Sequence, residues 1–289
     1  MKTIDLHSHS TASDGSYSPG ELVRMAKKQG LSALAITDHD TISGLSEAIS
    51  EAQKLNDFEL IPGVEISADY GGEIHILGYF LNPEDQNFKN RLKELKSIRE
   101  NRNQRMVERF TRIGIDISLK EVEEEAKGES VGRPHFASLL IKKGISDSYQ
   151  NAFDKFIGDK GKCFVPKNQY SVKEAIAIIR DNGGLAVLAH PVRLRKAETR
   201  TKMKAILEEF KDYGLTGVEV FHPDHSPDKT QQYLELAQRL DLCVTGGSDF
   251  HGAMKPFINL GVGRGNLSIP YSFLEKLKAR HTELSALAG

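Results

Sequence analysis

The sequence predicts an α/β fold in which parallel strands form a barrel that is interrupted by a helical insertion. Short β-rich apolar runs alternate with stretches of helical period along most of the 289 residues, as in repeated βα units. The alternation stops at residues 83–165, where only helical periodicity with polar breaks is found. Histidines and carboxylates follow several apolar runs, and barrel enzymes collect their functional residues at such strand ends.

The individual elements follow from composition and end signals. Seven runs are predicted to be strands: 3–6, 33–37, 60–66, 74–81, 185–189, 217–221 and 242–245. Helices are predicted at 19–29, 43–55, 171–182, 197–213 and 226–240. The first helix has clear ends, since Ser18 can cap it, Pro19 takes its first position and Gly30 can end it. We therefore expect a catalytic barrel domain formed by 1–82 and 166–289, and an inserted lid domain formed by 83–165.

The insertion begins with a basic amphipathic helix. Its apolar stripe, at ordinary core-facing spacing, consists of Leu92, Leu95, Met106, Phe110 and Ile113. Residues 87–113 contain nine basic and three acidic residues, and the flanking arginines are Arg91, Arg99, Arg102, Arg105, Arg109 and Arg112. This pattern is compatible with a solvated face and with a rim that attracts phosphate. The acidic run at 121–125 is interpreted as a solvated helix face.

Composition excludes several classes of protein. Thirty-nine basic and forty acidic residues leave a formal net charge of -1, so no field of the whole chain favours nucleic acid or a membrane. Cys163 and Cys243 form no CxxC pattern, which argues against a disulfide framework and a thiolate zinc site. No signal peptide is recognised, and no run approaches the roughly 20 apolar residues of a membrane span. We expect a soluble, cytoplasmic protein.

Residues with metal-binding side chains follow the predicted strands. The first strand leads into His7 and His9, which point to the same side of an extended chain and can chelate one metal. Asp14 follows five residues later, and the second strand leads into His39. The remaining strands carry Glu65, His75, His190, Asp249 and His251. Taken singly, each residue has an ordinary alternative, such as a helix cap or a hydrogen-bonded surface histidine.

Taken together, these side chains predict a multinuclear metal site. If so many imidazoles and carboxylates were buried in one barrel mouth without cations, unpaired polar groups and repelling charges would remain. Nitrogen and oxygen ligands without thiolates suit Zn, Mn or Fe, and the ligand types do not choose among them.

In this order, the motifs resemble the PHP (polymerase and histidinol phosphatase) superfamily of metal-dependent phosphoesterases. They are His7-Ser-His9, Asp14, Thr37-Asp38-His39-Asp40, Pro62-Gly63-Val64-Glu65, His75, Ala189-His190-Pro191 and Gly247-Ser248-Asp249-Phe250-His251. The aspartate at position 14 and the inserted Gly132-Arg133-Pro134-His135 are similar to a narrower group. Its members hydrolyse nucleoside 3′,5′-bisphosphates, and some are also 5′-3′ exonucleases on short oligoribonucleotides.

The resemblance implies a distorted (β/α)7 PHP barrel that holds two or three divalent metal ions, namely Mn, Zn or Fe, with Mg also admissible. The implied ligands of the first metal are His7, His9, Glu65 and Asp249. Glu65 would bridge to a second metal that is also held by His75 and His190. The implied ligands of the third metal are Asp14, His39 and His251. Some PHP enzymes have histidine where this chain has Asp14, and the carboxylate favours Mn or Mg at that third site.

Further residues are expected to act on the substrate. Arg133, His135 and Arg193 are expected to bind it, because a guanidinium group matches a phosphate bidentately. Arg133 is also a candidate catalytic residue together with Asp249, and a structural ion pair is its alternative role. His222, at the end of the strand 217–221, can protonate the leaving oxygen, contact the substrate or support a ligand from behind.

The implied function is release of the 3′-phosphate from nucleoside 3′,5′-bisphosphates, with 5′-3′ exonuclease activity on short RNA as a second activity. Histidinol-phosphate phosphatase is the alternative enzyme, and the basic helix and Arg133 disfavour its cationic substrate. A non-catalytic metal- or nucleotide-binding module is the alternative from another class, and the complete set of expected ligands disfavours it. We expect a phosphorylated nucleotide or short oligoribonucleotide as ligand, and no membrane or obligate protein partner.

Overall fold

The computed structural model describes residues 2–126, 131–165 and 170–288. Within these ranges, the fold is organised by one mixed sheet. Its strands in these ranges are β1 (Thr3–Asp5), β2 (Leu31–Ile36), β3 (Glu59–Asp69), β4 (Glu73–Tyr79), β5 (Tyr170–Ser171), β6 (Leu185–Leu188), β7 (Gly217–Phe221), β8 (Cys243–Gly246) and β9 (Ile269–Pro270). They are ordered β8-β7-β6-β4-β3-β2-β1-β9, and β5 pairs with β3. The seven predicted strands are present, with ends that differ by three residues or fewer, whereas β5 and β9 were not predicted.

Helices cover the sheet and fill the insertion. They are α1 (Pro19–Lys28), α2 (Leu45–Ala52), α3 (Gln86–Arg112), α4 (Leu119–Ala126), α5 (Arg133–Lys142), α6 (Tyr149–Ala152), α7 (Val172–Asp181), α8 (Arg200–Asp212), α9 (Pro227–Arg239) and α10 (Ser272–Ala288). The predicted N-cap of α1 is confirmed, because the Ser18 hydroxyl accepts from the Glu21 N–H at 3.3 Å and Glu21 accepts from the Ser18 N–H at 2.7 Å. None of the helices in the described ranges has the length and apolar composition that are needed to cross a membrane.

The sheet is nearly closed into a barrel. The segment after β1 pairs with the segment after β8, since the Asp249 N–H donates to the His7 carbonyl at 2.9 Å and the His9 N–H donates to the Phe250 carbonyl at 2.9 Å. The first and last predicted metal ligands are therefore neighbours. This closure explains how residues more than 240 positions apart in the sequence reach one site.

The expectation of parallel strands throughout is wrong for β4, which runs antiparallel to both β3 and β6. β3 continues to Asp69, and the chain reverses in a tight turn in which the Tyr70 N–H donates to the Gly72 carbonyl at 3.0 Å. Gly71 and Gly72 adopt φ angles of 68° and 155°, which glycine accommodates without strain. A turn this short can connect only antiparallel strands. The reversal places His75 opposite Ser67, near the end of β3 where Glu65 lies.

Alternating side chains build a core on each side of the barrel wall. In β2, Ala33 and Ala35 pack with residues of β1, β4, β6 and α10, whereas Leu34 and Ile36 pack against α1 and α2. This is the period of two that an extended strand imposes. The helix α10, which was not predicted, contributes Leu274 and Leu277 to the cluster with β1 and β6.

The insertion has a hydrophobic cluster of its own, and α3 connects it to the barrel. Leu92 and Leu95 pack into the barrel cluster, whereas Met106 and Phe110 pack with residues of α4 and α5. The expectation that Ile113 belongs to this stripe is wrong: it lies just beyond the end of α3 and is 43% exposed.

The arginines of α3 do not share one environment. Arg102 is only 5% exposed and donates to the Asn103 side-chain oxygen at 2.8 and 3.2 Å, so neither a solvated face nor a phosphate rim describes it. Arg105 and Arg112 are exposed. The side chain of Arg99 and the predicted domain boundary at residue 166 lie outside the described residues. The division into a barrel domain and a lid domain stays a prediction.

Candidate metal centre

The nine side chains that were predicted to bind metal lie together at one end of the barrel. Seven of them are buried, while the side chains of His39 and His75 are 12% and 15% exposed. Ligand atoms within 4.8 Å of one another form four overlapping groups: His9, Asp14, His39 and His251; His7, His9 and Asp249; His7, Glu65 and His190; and His39, Glu65 and His75. The structure therefore brings together the whole predicted ligand set.

Glu65 is the central carboxylate of the cluster. It lies within 3.4 Å of ring nitrogens of His7, His9, His39, His75 and His190. Its Oε1 is 2.9 Å from His75 Nδ1 and 3.0 Å from His190 Nε2, whereas its Oε2 is 3.0 Å from His39 Nδ1. The two oxygens thus face two different sets of imidazoles, which is the arrangement of a bridging ligand.

Several atoms of the cluster are buried without a hydrogen-bond partner among the described residues. They are His7 Nε2, both ring nitrogens of His9, His39 Nδ1 and Glu65 Oε2. Such atoms cost free energy unless a ligand satisfies them. Since they are nitrogen and oxygen donors that converge on shared positions, the cluster can bind divalent metal ions.

The pKa values of two histidines in the cluster show how the binding of metal ions would be linked to protons. Burial lowers the pKa of His9, but the carboxylates of Asp249 and Glu65, at 3.4 and 3.2 Å from its Nε2, outweigh burial and raise the pKa to about 9. Burial, followed by the charge of Arg193, lowers the pKa of His190 to about 3. His190 is therefore neutral, which is the form of imidazole that binds metal, whereas metal binding at His9 would release the proton of that ring and balance the charge of the carboxylates.

Glu219 holds two of the histidines in place, although it was not predicted as a site residue. It is fully buried, and its Oε1 accepts from His7 Nδ1 at 2.9 Å while its Oε2 accepts from the His190 backbone N–H at 2.7 Å. The His7 ring is thereby turned so that Nε2 faces Glu65. A carboxylate behind a metal-binding histidine fixes the ring's tautomer and orientation. The sequence signal was a single acid in the otherwise apolar strand Gly217–Phe221.

We predict that Glu219→Gln weakens metal binding about 10- to 100-fold, as is typical for residues behind a metal ligand. Both Glu219 oxygens accept hydrogen bonds, whereas an amide has only one acceptor oxygen and would present a donor to either His7 or the His190 N–H. Competition with a chromogenic chelator measures the affinity. The exposed Glu198→Gln is the matched control. Equal affinities in the two variants would remove Glu219 from this role.

Two further buried aspartates fasten the loops that carry the ligands. Asp5 accepts from the Ser248 N–H at 2.9 Å and from the Gly261 N–H at 2.7 Å, which ties the loop after β8 to β1. At Gly247, a Cβ atom would lie 2.3 Å from the His7 Cβ, so only glycine permits this close approach. Asp38 accepts from the Ser10 N–H at 2.7 Å. Both carboxylates therefore accept hydrogen bonds from the protein's own backbone and hold its loops in place.

Asp249 is oriented by cations on one side and faces imidazoles on the other. Its Oδ2 is 2.6 Å from Lys255 Nζ and 3.1 Å from Arg193 Nη2, whereas its Oδ1 is 3.4 Å from His9 Nε2. Burial raises its pKa, but the charges of Lys255 and His251 outweigh burial and hold the pKa well below its usual range. Lys255 was not predicted, because nothing in its sequence context marks it. Arg193 also pairs with Asp224 at 2.8 Å.

His222 lies beside the cluster and is 2% exposed. Its Nδ1 accepts from the Asp224 backbone N–H at 3.1 Å, so in the neutral ring the proton resides on Nε2. Nε2 is 3.5 Å from Asp249 Oδ2. The protonated nitrogen therefore faces the cluster.

Asp14 lies on the side of the cluster where the third metal is expected. Its Oδ1 is 3.3 Å from His251 Nε2, and its Oδ2 is 3.8 Å from His39 Nε2. We predict that Asp14→Ala lowers the metal content by about one ion per chain and leaves the fold intact. Elemental analysis of the metal-loaded protein, with circular dichroism, tests this. Unchanged metal content would assign Asp14 to local hydrogen bonding instead.

A small cavity connects the cluster to two predicted substrate-binding residues. Its volume is about 170 Å³, and it is lined by Ile74, His75, Arg133, Leu188, Ala189, His190, Arg193 and Leu194. Arg133 also contacts Asp159 at 3.4 Å and lies over the Phe153 ring at 5.8 Å. The structure thus places Arg133 and Arg193 in one cavity with His75 and His190, two of the candidate metal ligands.

His135 is placed differently. It is 1% exposed, its Nδ1 accepts from the Gly132 N–H at 3.0 Å at the start of α5, and it does not line the small cavity. The geometry assigns it a contact that stabilises the helix N-terminus. Substrate binding by His135 stays a prediction. The burial of its ring and its position outside the cavity lining do not support it.

Comparison with known proteins identifies the family. The sequence pattern of the PHP domain matches residues 5–220. The chain belongs to the PHP family. This confirms the resemblance drawn from the motifs and agrees with the barrel that the structure shows.

Several PHP relatives are similar over nearly their whole length. A 5′-3′ exoribonuclease of Haemophilus influenzae is 36% identical over 86% of this chain and 90% of its own. A 3′,5′-nucleoside bisphosphate phosphatase of Chromobacterium violaceum is 32% identical over 87% of this chain and 88% of its own. The crystal structure of a proposed metal-dependent phosphoesterase from Bifidobacterium adolescentis has a TM-score of 0.85 and 31% identity, and covers 96% of each chain.

Proposed function

We propose that this PHP protein is a metal-dependent phosphoesterase of nucleotides, with nucleoside 3′,5′-bisphosphates as its preferred substrates. The observation that carries the proposal is the small cavity, where His75 and His190 of the metal cluster meet Arg133 and Arg193. A site that combines metal ligands with guanidinium groups is suited to a substrate with more than one phosphate. The names of the relatives from Haemophilus influenzae and Chromobacterium violaceum support the same class of substrate.

The nine clustered side chains would hold two or three divalent ions, and their nitrogen and oxygen donors suit Mn, Zn or Fe. Glu65 would bridge two of them, and Asp14 with His39 and His251 would hold the third. Ions bound there act as Lewis acids that neutralise the charge of phosphate oxygens. Glu219 orients His7 and His190, and Asp5 and Asp38 hold the loops that carry other candidate ligands. These residues would therefore fix the positions of the ions.

The chain's own groups bind the substrate and move protons. Arg133 would bind the second phosphate, which the metal centre cannot contact while it holds the scissile one. His222 Nε2 lies 3.5 Å from Asp249 Oδ2, so the neutral ring would donate a hydrogen bond to the departing oxygen, and it would protonate that oxygen only in its imidazolium form. Asp249, with Arg193 and Lys255 on its outer oxygen, would keep its inner oxygen directed at the metals.

We further propose that residues 83–165 form a lid that recognises substrate. Each of the nine metal ligands lies outside this segment, whereas Arg133 lies within it and reaches the small cavity. The barrel would thus carry the metal ligands, and the insertion would contribute Arg133 to the binding of substrate. A 5′-3′ exonuclease activity on short oligoribonucleotides is the second proposed activity.

A hydrolysis panel tests the proposal, with inorganic phosphate measured for the small substrates and released mononucleotides measured for the RNA. Mn-loaded protein is offered a nucleoside 3′,5′-bisphosphate, the corresponding mononucleotides, histidinol phosphate and a short 5′-phosphorylated RNA. We expect the highest kcat/KM on the bisphosphate, because only it offers a second phosphate to Arg133 at mononucleotide size. A preference for histidinol phosphate would favour the alternative enzyme, and inactivity on every substrate would favour a binding module.

A further inference from the structure

A second, larger cleft opens beside the small cavity. Its volume is about 620 Å³, and it shares Ile74, Arg133, Arg193 and Leu194 with the small cavity. The barrel contributes the turn at 70–72 and the segment 193–196 as one wall, and the insertion contributes Phe153 and the segment 158–160 to the other. The cleft is therefore continuous with the route to the metal centre and lies within the size range of ligand sites.

The cleft is strongly cationic, in contrast to the chain as a whole. Its lining contains five basic residues, Arg133, Lys160, Arg193, Arg195 and Lys196. Among the described residues, two acidic side chains, Asp154 and Asp159, line it, and Arg193 also pairs with Asp224 and Asp249 outside the lining. Since the whole chain has a formal net charge of -1, this local excess of positive charge selects for an anionic ligand.

Each wall also carries one aromatic ring with a cation above it. Lys196 Nζ lies 4.5 Å from the centre of the Tyr70 ring on the barrel wall, and the Arg133 guanidinium lies 5.8 Å from the Phe153 ring on the insertion wall. Tyr70 is held rigidly, because its hydroxyl donates to Glu209 at 2.5 Å and its ring packs edge-on against Phe210 at 5.0 Å. Cationic grooves with aromatic platforms are typical of sites for single-stranded nucleic acid.

An ion pair spans the cleft where a phosphate would fit. Asp159 of the insertion is 3.4 Å from Arg133 and 3.0 Å from Arg195 of the barrel. The side chain of Asp159 is 34% exposed and that of Arg195 is 74% exposed. Such exposed pairs contribute little stability, so a phosphate can take the place of the carboxylate at both guanidinium groups.

We propose that this cleft binds the neighbouring nucleotides of a single-stranded oligonucleotide whose terminal nucleotide is held at the metal centre. The inference rests on the proposed nucleotide phosphoesterase activity and adds the binding site that extends it from mononucleotides to short strands. Lys160 and Lys196, one from each wall, contact backbone phosphates, and Tyr70 and Phe153 offer faces to bases.

The experiment measures binding without turnover and then hydrolysis. Fluorescence anisotropy with a labelled, 5′-phosphorylated, hydrolysis-resistant ribo-tetranucleotide analogue and metal-loaded protein gives Kd for Lys160→Ala, Lys196→Ala and the control Lys204→Ala, a surface residue of α8 paired with Glu208. We expect the two cleft variants to bind about five- to tenfold more weakly, with the slope of log K against log salt reduced by about 0.7 each. The control should match the wild type, and kcat/KM on a nucleoside 3′,5′-bisphosphate should stay within about twofold in all three variants.

Three outcomes would overturn the inference. If the cleft variants bind the tetranucleotide as tightly as the control, while the wild type hydrolyses the bisphosphate, the strand binds elsewhere and the proposed function stands. If they lose bisphosphate hydrolysis as strongly as tetranucleotide binding, the cleft serves the mononucleotide itself. If the wild type hydrolyses neither the bisphosphate nor a cleavable tetranucleotide, the proposed function is wrong and this inference with it.

Discussion

Glu65→Gln is expected to abolish phosphate release almost completely, by about a thousandfold in kcat, which corresponds to several kcal/mol of lost metal assistance. Glu65 lies within 3.4 Å of a ring nitrogen of five histidines, and its oxygens face two different sets of them. Gln keeps the size of the side chain but loses the negative charge and one acceptor oxygen. The substitution would therefore remove a ligand that two metal ions would share, and it would create no cavity in the cluster.

Two measurements separate this effect from misfolding. Elemental analysis should show that Glu65→Gln binds fewer ions than the wild type, and thermal unfolding of the chelator-treated proteins should be similar. Glu198→Gln, an exposed glutamate with a Lys202 partner, is the matched control and should keep full activity. If Glu65→Gln kept half of the wild-type rate, the central position of this carboxylate in the mechanism would be wrong.

Arg133→Ala is expected to lower kcat/KM on a nucleoside 3′,5′-bisphosphate by about ten- to a hundredfold, since a charge-assisted hydrogen bond is typically worth about 1.5 to 3 kcal/mol. p-Nitrophenyl phosphate has no second phosphate, so its hydrolysis should barely change. Arg133 lines the small cavity together with His75 and His190 and does not belong to the candidate ligand set.

The control for this variant is Arg200→Ala, since Arg200 pairs with Glu235 on the surface and lines neither the small cavity nor the cleft. Metal content should be the same in both variants. Equal losses on both substrates would show that Arg133 serves the chemistry or the fold. If neither substrate were affected, Arg193 would be the next candidate for the phosphate contact.

The clustering of the candidate metal ligands could be predicted from the sequence because the signal is local. A short apolar run that ends in His or Asp needs only a few neighbouring residues to be recognised, and the same signal recurs at His7, His39, His190 and Asp249. This local signal predicts one shared site only because the barrel brings these strand ends together. The closure between the segments after β1 and β8 does so.

Glu219 and Lys255 could not be found in this way. Glu219 lies in the middle of β7, and only the arrangement of the barrel shows that it meets His7 and His190. Lys255 lies in an irregular segment four residues after His251, with no periodicity to mark it. Both act through a partner that is distant in sequence, which a local pattern does not reveal.

Errors in the predicted fold have similar physical causes. The apolar residues predict that residues 74–81 form a strand but contain no information about its direction, so the antiparallel course of β4 was missed. The helix α10 was missed because Leu284 and Leu287, on its last turns, are exposed and blur its apolar periodicity. In α3 the stripe was extended to Ile113, although the helix ends at Arg112 and its packing changes partner between Leu95 and Met106.

The central claim is that one multinuclear metal centre performs phosphoester hydrolysis on nucleotides. The most direct test is phosphate release from a nucleoside 3′,5′-bisphosphate by protein that has been freed of metal with a chelator, measured before and after Mn is added. We predict that release is abolished in the metal-free protein and restored by the ion, because nine clustered nitrogen and oxygen donors form four groups that could each hold a metal ion. Undiminished phosphate release by thoroughly metal-free protein would contradict the account.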